Sequence, residues 1–126
     1  MKLLLLTATV LTVLSSSSCT IRTKEIRSGL EEAERLVNFA PDSSLSILQR
    51  LNSSGVLNKR LRAESALLHS IALDKMGVDM ANDSIIAPAL DYFSKRGSEE
   101  LKSKTFYYTA RIFENSADNE TAMEWL

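Results

Sequence analysis

Residues 106–126 read FYYTARIFENSADNETAMEWL, and the spacing of large and small residues in this stretch gives the clearest indication of the fold. The large residue Phe106 is followed at helical steps by the small Ala110 and the aromatic Phe113, and a second small residue, Ala122, comes later in the stretch. Small residues at facing positions let two helices approach closely, while large residues fill the space beside them. The stretch therefore predicts a closely packed pair of helices joined by a short turn.

Helical periodicity extends through the whole sequence after residue 24. Apolar residues recur at three- and four-residue steps, and no stretch shows the sustained alternation of a strand. Cap and turn residues divide this part into six predicted helices, because prolines, glycines and small polar residues interrupt the period. Pro41 is expected to end the first helix, with Asp42 or Ser43 as the next cap, and residues 52–55 form the second break. Gly77 is expected at a C-cap, and Pro88 places the next helix start near Ala87. Gly97 ends that helix, and Asp118 or Asn119 precedes the sixth.

Six helices with short connections must lie antiparallel to their neighbours. Two architectures satisfy this condition: helix pairs stacked as a short α-solenoid, or a closed helical bundle. The small residues Ala33, Ala72 and Ala110 recur at a nearly constant spacing, which favours the stacked pairs. The expected fold class is thus all-α, with a closed bundle as the alternative.

The sequence resembles the N-terminal part of exported tetratricopeptide-repeat lipoproteins from Bacteroidota-type bacteria. The resembling stretches are EEAERLVNFAPDSSLSILQRL, RAESALLHSIALDKMG, DSIIAPALDYFSKRG and FYYTARIFENSADNETAMEWL. The resemblance covers about residues 25–126, with a repeat period longer than the family's usual value of about 34 residues. It implies a scaffold attached in the cell envelope and no reaction. Members of the family usually continue through further repeats, so we expect the domain to be incomplete at residue 126.

The N-terminus predicts export. Lys2 precedes an apolar run from Leu3 to Leu14, which is too short to span a bilayer and matches the h-region of a signal peptide. Small serines then precede Cys19, as in a lipoprotein signal, although Ser16 stands where an aliphatic residue is usual. We expect a signal over residues 1–18, lipid on Cys19, a polar tether over 19–24 and attachment to the outer membrane. Ordinary cleavage after a serine and an uncleaved anchor are the alternatives.

Composition excludes several classes of function. The formal net charge is −1, which gives no basic field for nucleic acid, and one cysteine with one histidine cannot form a Cys/His metal site. His69 has Glu64 and Asp74 five residues away on either side, which is not the spacing of neighbours on a helix. No nucleophile motif is present. We therefore expect no cofactor, no metal and no catalytic activity.

The tetratricopeptide pattern, carried over to this sequence, implies a concave groove lined by the first helix of each pair. That groove would present one row of residues to a protein or peptide partner: Arg27, Glu34, His69, Leu73, Tyr107 and Arg111. The expected function is a membrane-anchored scaffold. The alternatives are the sensory part of a longer membrane regulator, a surface hydrolase with an unseen site, and a glycan-binding lipoprotein. For the apolar end at Trp125, three readings are open: truncation, packing back on the preceding pair, or cover by another chain.

Overall fold

The computed structural model describes residues 20–116 and 119–126, and all regular secondary structure in these residues is helical. The residues expected to form the signal peptide, together with Cys19, lie outside this part. The helices are α1 over 20–36, α2 Pro41–Ser53, α3 Lys59–Lys75, α4 Ala87–Phe93, α5 Glu99–Asn115 and α6 Asn119–Glu124. The prediction of an all-α fold is confirmed for this part of the chain.

Several predicted helix boundaries are confirmed by their cap geometry. The Asn58 side chain accepts a hydrogen bond from the Leu61 N–H at 2.9 Å, which satisfies one of the free donors at the start of α3. Ser98 caps α5 in the same way. Gly77 follows the C-terminus of α3 with a φ of +71°, a conformation that costs glycine little because it has no Cβ. Helix α4 begins at Ala87, as Pro88 requires.

The start of the chain and the first turn differ from the prediction. Residues 20–24, expected to be a tether, are helical and continue into α1, since they contain neither glycine nor proline to stop a helix. Pro41 is the first residue of α2, with Ala40 at the N-cap, and neither Asp42 nor Ser43 caps the helix. A proline fits the first helical position because its missing N–H would have no helical acceptor there.

Helices α1 and α2 are antiparallel and pack closely. The Ser44 hydroxyl donates a hydrogen bond of 2.7 Å to the Ala33 carbonyl, and a Cβ added to Gly29 would lie 3.1 Å from the Leu51 side chain. Residue numbers thus rise along one helix as they fall along the other. Both Ala33 and Ser44 are fully buried, so small side chains set this short distance between the helices.

Helix α3 lies at the centre of the described residues. It contacts α2, α4 and α5, while α4 also contacts α5 and α5 contacts α6. Its ion pairs join Glu64 to α1 and Asp74 to α5. One continuous hydrophobic core includes Leu30 of α1, Leu48 of α2, Ile71 of α3 and Phe93 of α4. The odd-numbered helices therefore lie beside one another, and α2 and α4 pack against α3.

Candidate functional site

A cleft runs along α3 between α1 and α5. Its floor is apolar and comes from α3, where Leu67, Leu68 and Ile71 lie on one stripe at helical spacing. The walls are charged side chains of α1 and α5. The volume is about 310 Å³, and the lining residues are Arg27, Leu30, Glu31, Glu34, Glu64, Leu67, Leu68, Ile71, Ser98, Glu100, Leu101 and Lys104.

A second depression of about 410 Å³ continues the cleft toward the C-terminal ends of the same helices. It shares Glu34, Leu68, Ile71 and Lys104 with the first and adds Tyr107 and Tyr108, among others. The two tyrosine rings meet edge to face, with 5.0 Å between centroids. Tyr107 is 49% exposed, so its ring is available at the rim of the cleft. We refer to both depressions together as the α1–α3–α5 cleft.

Ion pairs join α3 to α1 toward one end of α3 and to α5 toward the other. At one end, Arg27 Nη1 of α1 donates to Glu64 Oε2 of α3 at 2.6 Å, and Arg60 Nε donates to Glu64 Oε1 at 3.0 Å. At the other end, Arg111 of α5 contacts Asp74 of α3 through Nε and Nη2, each at 3.3 Å from Oδ1. The carboxylate of Asp74 raises the pKa of Arg111 above its usual value. These pairs fix the relative positions of the three helices.

The charge left unpaired in the cleft is negative. Lys104 donates to Glu100 at 2.7 Å, and this hydrogen bond together with the ammonium charge lowers the pKa of the Glu100 carboxyl. Both cations that line the cleft, Arg27 and Lys104, are therefore already paired. The carboxylates of Glu31 and Glu34 make no ion pair or hydrogen bond with any residue that the structure describes. Both are exposed on the wall formed by α1.

Three of the six residues predicted for the groove line this cleft: Arg27, Glu34 and Tyr107. Arg111 lines neither depression, and its guanidinium is engaged by Asp74. Leu73 is half-buried and packs against the hydrophobic core. The binding role of the six residues stays a prediction; the structure brings Arg27, Glu34 and Tyr107 together along one cleft and places the two residues of α3 elsewhere.

His69 lies in a different depression, between α3, the turn after α2 and the start of α4. This depression of about 320 Å³ is also lined by Arg62, Ile85 and Pro88. Burial lowers the pKa of His69 below its usual value, and no hydrogen bond or ion pair joins it to Glu64 or Asp74. Neither of these two carboxylates is therefore placed to orient the imidazole as a general base.

Sequence reasoning missed the residues that α3 contributes to the cleft. They are Glu64, Leu67, Leu68 and Ile71, which follow one another at steps of three, one and three residues along α3. These residues lie along one side of α3, but buried residues occur on every side of this helix, so its periodicity does not single them out. The predicted row takes His69 and Leu73 from α3, and these residues are displaced by about one residue around the helix from those that line the cleft.

Two further observations concern possible classes of site. Within residues 20–116 and 119–126, no group of three or more His, Cys, Asp or Glu side chains is placed to hold a metal ion. No helix of the described chain combines the length and the apolar character that crossing a bilayer requires. The predicted lipid site at Cys19 lies outside the described residues.

Comparisons with known proteins give no further assignment. No family model matches the chain, and searches of curated proteins and of solved structures also found no significant match. The geometry of the α1–α3–α5 cleft is therefore the main evidence on function.

Proposed function

We propose that this chain is a non-catalytic scaffold of the tetratricopeptide type, anchored to a membrane, that binds a protein or peptide partner in the α1–α3–α5 cleft. The apolar floor of the cleft is the observation that carries the proposal. Leu67, Leu68 and Ile71 are buried residues of the hydrophobic core whose outer edges form the floor of the groove, and binding sites are typically concave and apolar with a few charged groups.

The stacked-pair architecture is supported by the order of the contacts between helices. The pairs Arg27–Glu64 and Asp74–Arg111 bring the N-terminal part of α1 to that of α3 and the C-terminal part of α3 to that of α5. Residue numbers on all three odd-numbered helices also rise together from the first depression of the cleft to the second, so these helices run in one direction. Among α2 to α6, helix α2 contacts only α3, whereas in a closed bundle it would also meet a later helix. In stacked pairs, the concave surface formed by such helices is the usual binding surface.

The exposed ring of Tyr107 supports a protein partner. Tyrosine is frequent among residues that dominate binding energy, because it buries a large rigid area and retains a polar tip. Its position beside Ile71 and Leu68 places an aromatic rim next to the apolar floor.

A photo-crosslinking experiment in cells tests the binding surface. Benzoylphenylalanine at position 107, in the cleft, is compared with the same residue in place of Gln49, which is exposed on α2. We expect a discrete adduct from position 107 alone, abolished by Ser103→Trp, which would fill the cleft from an exposed position on α5. The same adduct from both positions, or one that survives Ser103→Trp, would contradict the proposal.

Membrane anchoring through Cys19 is a separate part of the proposal and rests on the sequence. The intact mass of the protein isolated from its native envelope should equal residues 19–126 plus acyl groups, and Cys19→Ala should abolish the acylated species. A mass without acyl groups would remove the anchor. A much larger mass would favour the alternative, the sensory part of a longer membrane regulator.

A further inference from the structure

We propose that the occupant of the α1–α3–α5 cleft is a basic amphipathic peptide segment of a partner protein, with Lys or Arg beside an aliphatic or aromatic anchor. This inference rests on the proposed function and adds the chemistry of the partner. It is drawn from the difference between paired and unpaired charges along the cleft.

The unpaired carboxylates are neighbours. Glu31 and Glu34 are three residues apart on α1, which places them side by side on one face of the helix. Glu32, between them in sequence, lies on another face and pairs with Arg35. Two adjacent like charges without a counterion repel each other, so a cation placed between them would relieve the repulsion.

The cleft provides no competing cation for them. Arg27 is engaged by Glu64, and Lys104 by Glu100, at distances of 2.6 and 2.7 Å. An acidic peptide would have to displace one of these pairs and also approach Glu31 and Glu34. A basic peptide meets two free carboxylates and can leave both pairs intact, so electrostatic complementarity favours it.

The apolar floor favours a segment that also carries an aliphatic or aromatic side chain. Leu68 and Ile71 line both halves of the cleft, and Glu34 lines both halves with them. A cationic side chain at Glu34 therefore lies beside an apolar side chain on the floor. A free polyamine or a simple cation has no apolar group to use this floor, whereas a segment with alternating basic and apolar residues uses both features.

The experiment uses peptide selection against the full-length protein purified from membranes in detergent. A random peptide library is selected on this protein, and the recovered sequences are synthesised and measured by fluorescence anisotropy. We expect enrichment of Lys or Arg next to large apolar residues, and we expect Ser103→Trp to abolish binding. Affinity should also fall as NaCl rises from low to high concentration, since exposed charges are screened by salt.

Charge variants identify the contact. Glu31→Gln with Glu34→Gln should weaken binding of the selected peptides about three- to thirty-fold, the range for two exposed ion pairs. The matched control, Glu25→Gln with Glu124→Gln, removes the same charge from exposed positions outside the cleft and should leave affinity unchanged.

The possible results distinguish an error in the basic character of the partner from an error in the cleft as the binding site. Neutral or acidic peptides that are blocked by Ser103→Trp would overturn the basic partner and leave the cleft as a binding site. Basic peptides unaffected by the Glu31 and Glu34 variants would also overturn it. Failure to select any peptide sensitive to Ser103→Trp would overturn this inference. If position 107 also gave no crosslink that depends on Ser103, the proposed function would be overturned as well.

Discussion

Glu64 has two arginine partners on different helices. It accepts hydrogen bonds from Arg27 of α1 and from Arg60 of its own helix, and only 15% of its side chain is exposed. Hydrogen bonds to charged groups stabilise more than neutral ones, and a mostly buried carboxylate is less screened by water than an exposed one. Glu64 therefore joins α1 to α3 more firmly than the surface pairs stabilise single helices.

Glu64→Ala should lower the free energy of unfolding by about 1–2 kcal/mol, since it leaves two guanidinium groups without their acceptor. Urea denaturation followed by circular dichroism measures the change. Glu32→Ala, which removes the exposed pair with Arg35, is the control and should cost less than about 0.5 kcal/mol. Equal costs for the two variants would show that Glu64 has no special role between helices.

His69 makes stability depend on pH in one direction. Burial lowers its pKa in the folded protein below the ordinary value of 6.5, so the unfolded chain binds more protons as the pH falls through that value. Stability should therefore decrease on acidification below about pH 6.5, before the carboxylates titrate. His69→Asn should show a smaller decrease in melting temperature between pH 7.5 and 5.5 than the unchanged protein. An identical decrease in both would mean that His69 does not titrate differently on folding.

At the scale of helices, some ends were predictable and one helix orientation was not. Gly77 and Pro88 act through the local backbone, so their roles follow from the sequence alone, whereas the cap expected at Asp42 or Ser43 does not form. The buried residues of α3, by contrast, include Leu61, Ala63, Ser65, Leu67 and others on every side of the helix. A helix surrounded by α1, α2, α4 and α5 has no single apolar face, and its periodicity cannot identify which face borders the cleft.

The N-cap of α3 gives a test at this scale. Asn58→Ala should lower the free energy of unfolding by about 1 kcal/mol, because the Leu61 N–H loses its acceptor. Asn58→Asp is the matched control, since its carboxylate oxygen can accept the same hydrogen bond and should retain most of the stability. Chemical denaturation of the three proteins measures both changes. An alanine variant as stable as the aspartate variant would contradict the capping role.

Across the whole molecule, alanines set the distances between helices. Ala33, Ala72, Ala89, Ala110 and Ala122 are all nearly or completely buried although each lies on a different helix. Their spacing in the sequence favoured stacked helix pairs, and the structure confirms the all-α class for the described residues. The pairing between distant helices could not be predicted, because Arg27–Glu64 and Asp74–Arg111 depend on the rotation of α3, which single-sequence periodicity does not specify.

Ala72→Leu should destabilise the whole molecule by about 1–3 kcal/mol, since extra methylene groups in a packed core force neighbouring helices apart. Ala87→Leu is the control, because Ala87 is exposed at the start of α4 and should change stability by less than about 0.5 kcal/mol. Thermal unfolding of both variants measures the difference. An unchanged stability of Ala72→Leu would show that the core near the C-terminal end of α3 can accommodate a larger side chain.

The packing of Trp125 gives the molecule an optical reporter at its end. Trp125 is the chain's one tryptophan, its ring lies 5.6 Å from that of Phe106, and its indole N–H is buried without an acceptor among the described residues. Its fluorescence emission therefore comes from the α5–α6 pair alone, and exposure to water should shift that emission to longer wavelength. If the shift precedes the loss of helical signal during denaturation, α5 and α6 open independently of the rest; coincident changes mean that all the helices unfold as one cooperative unit.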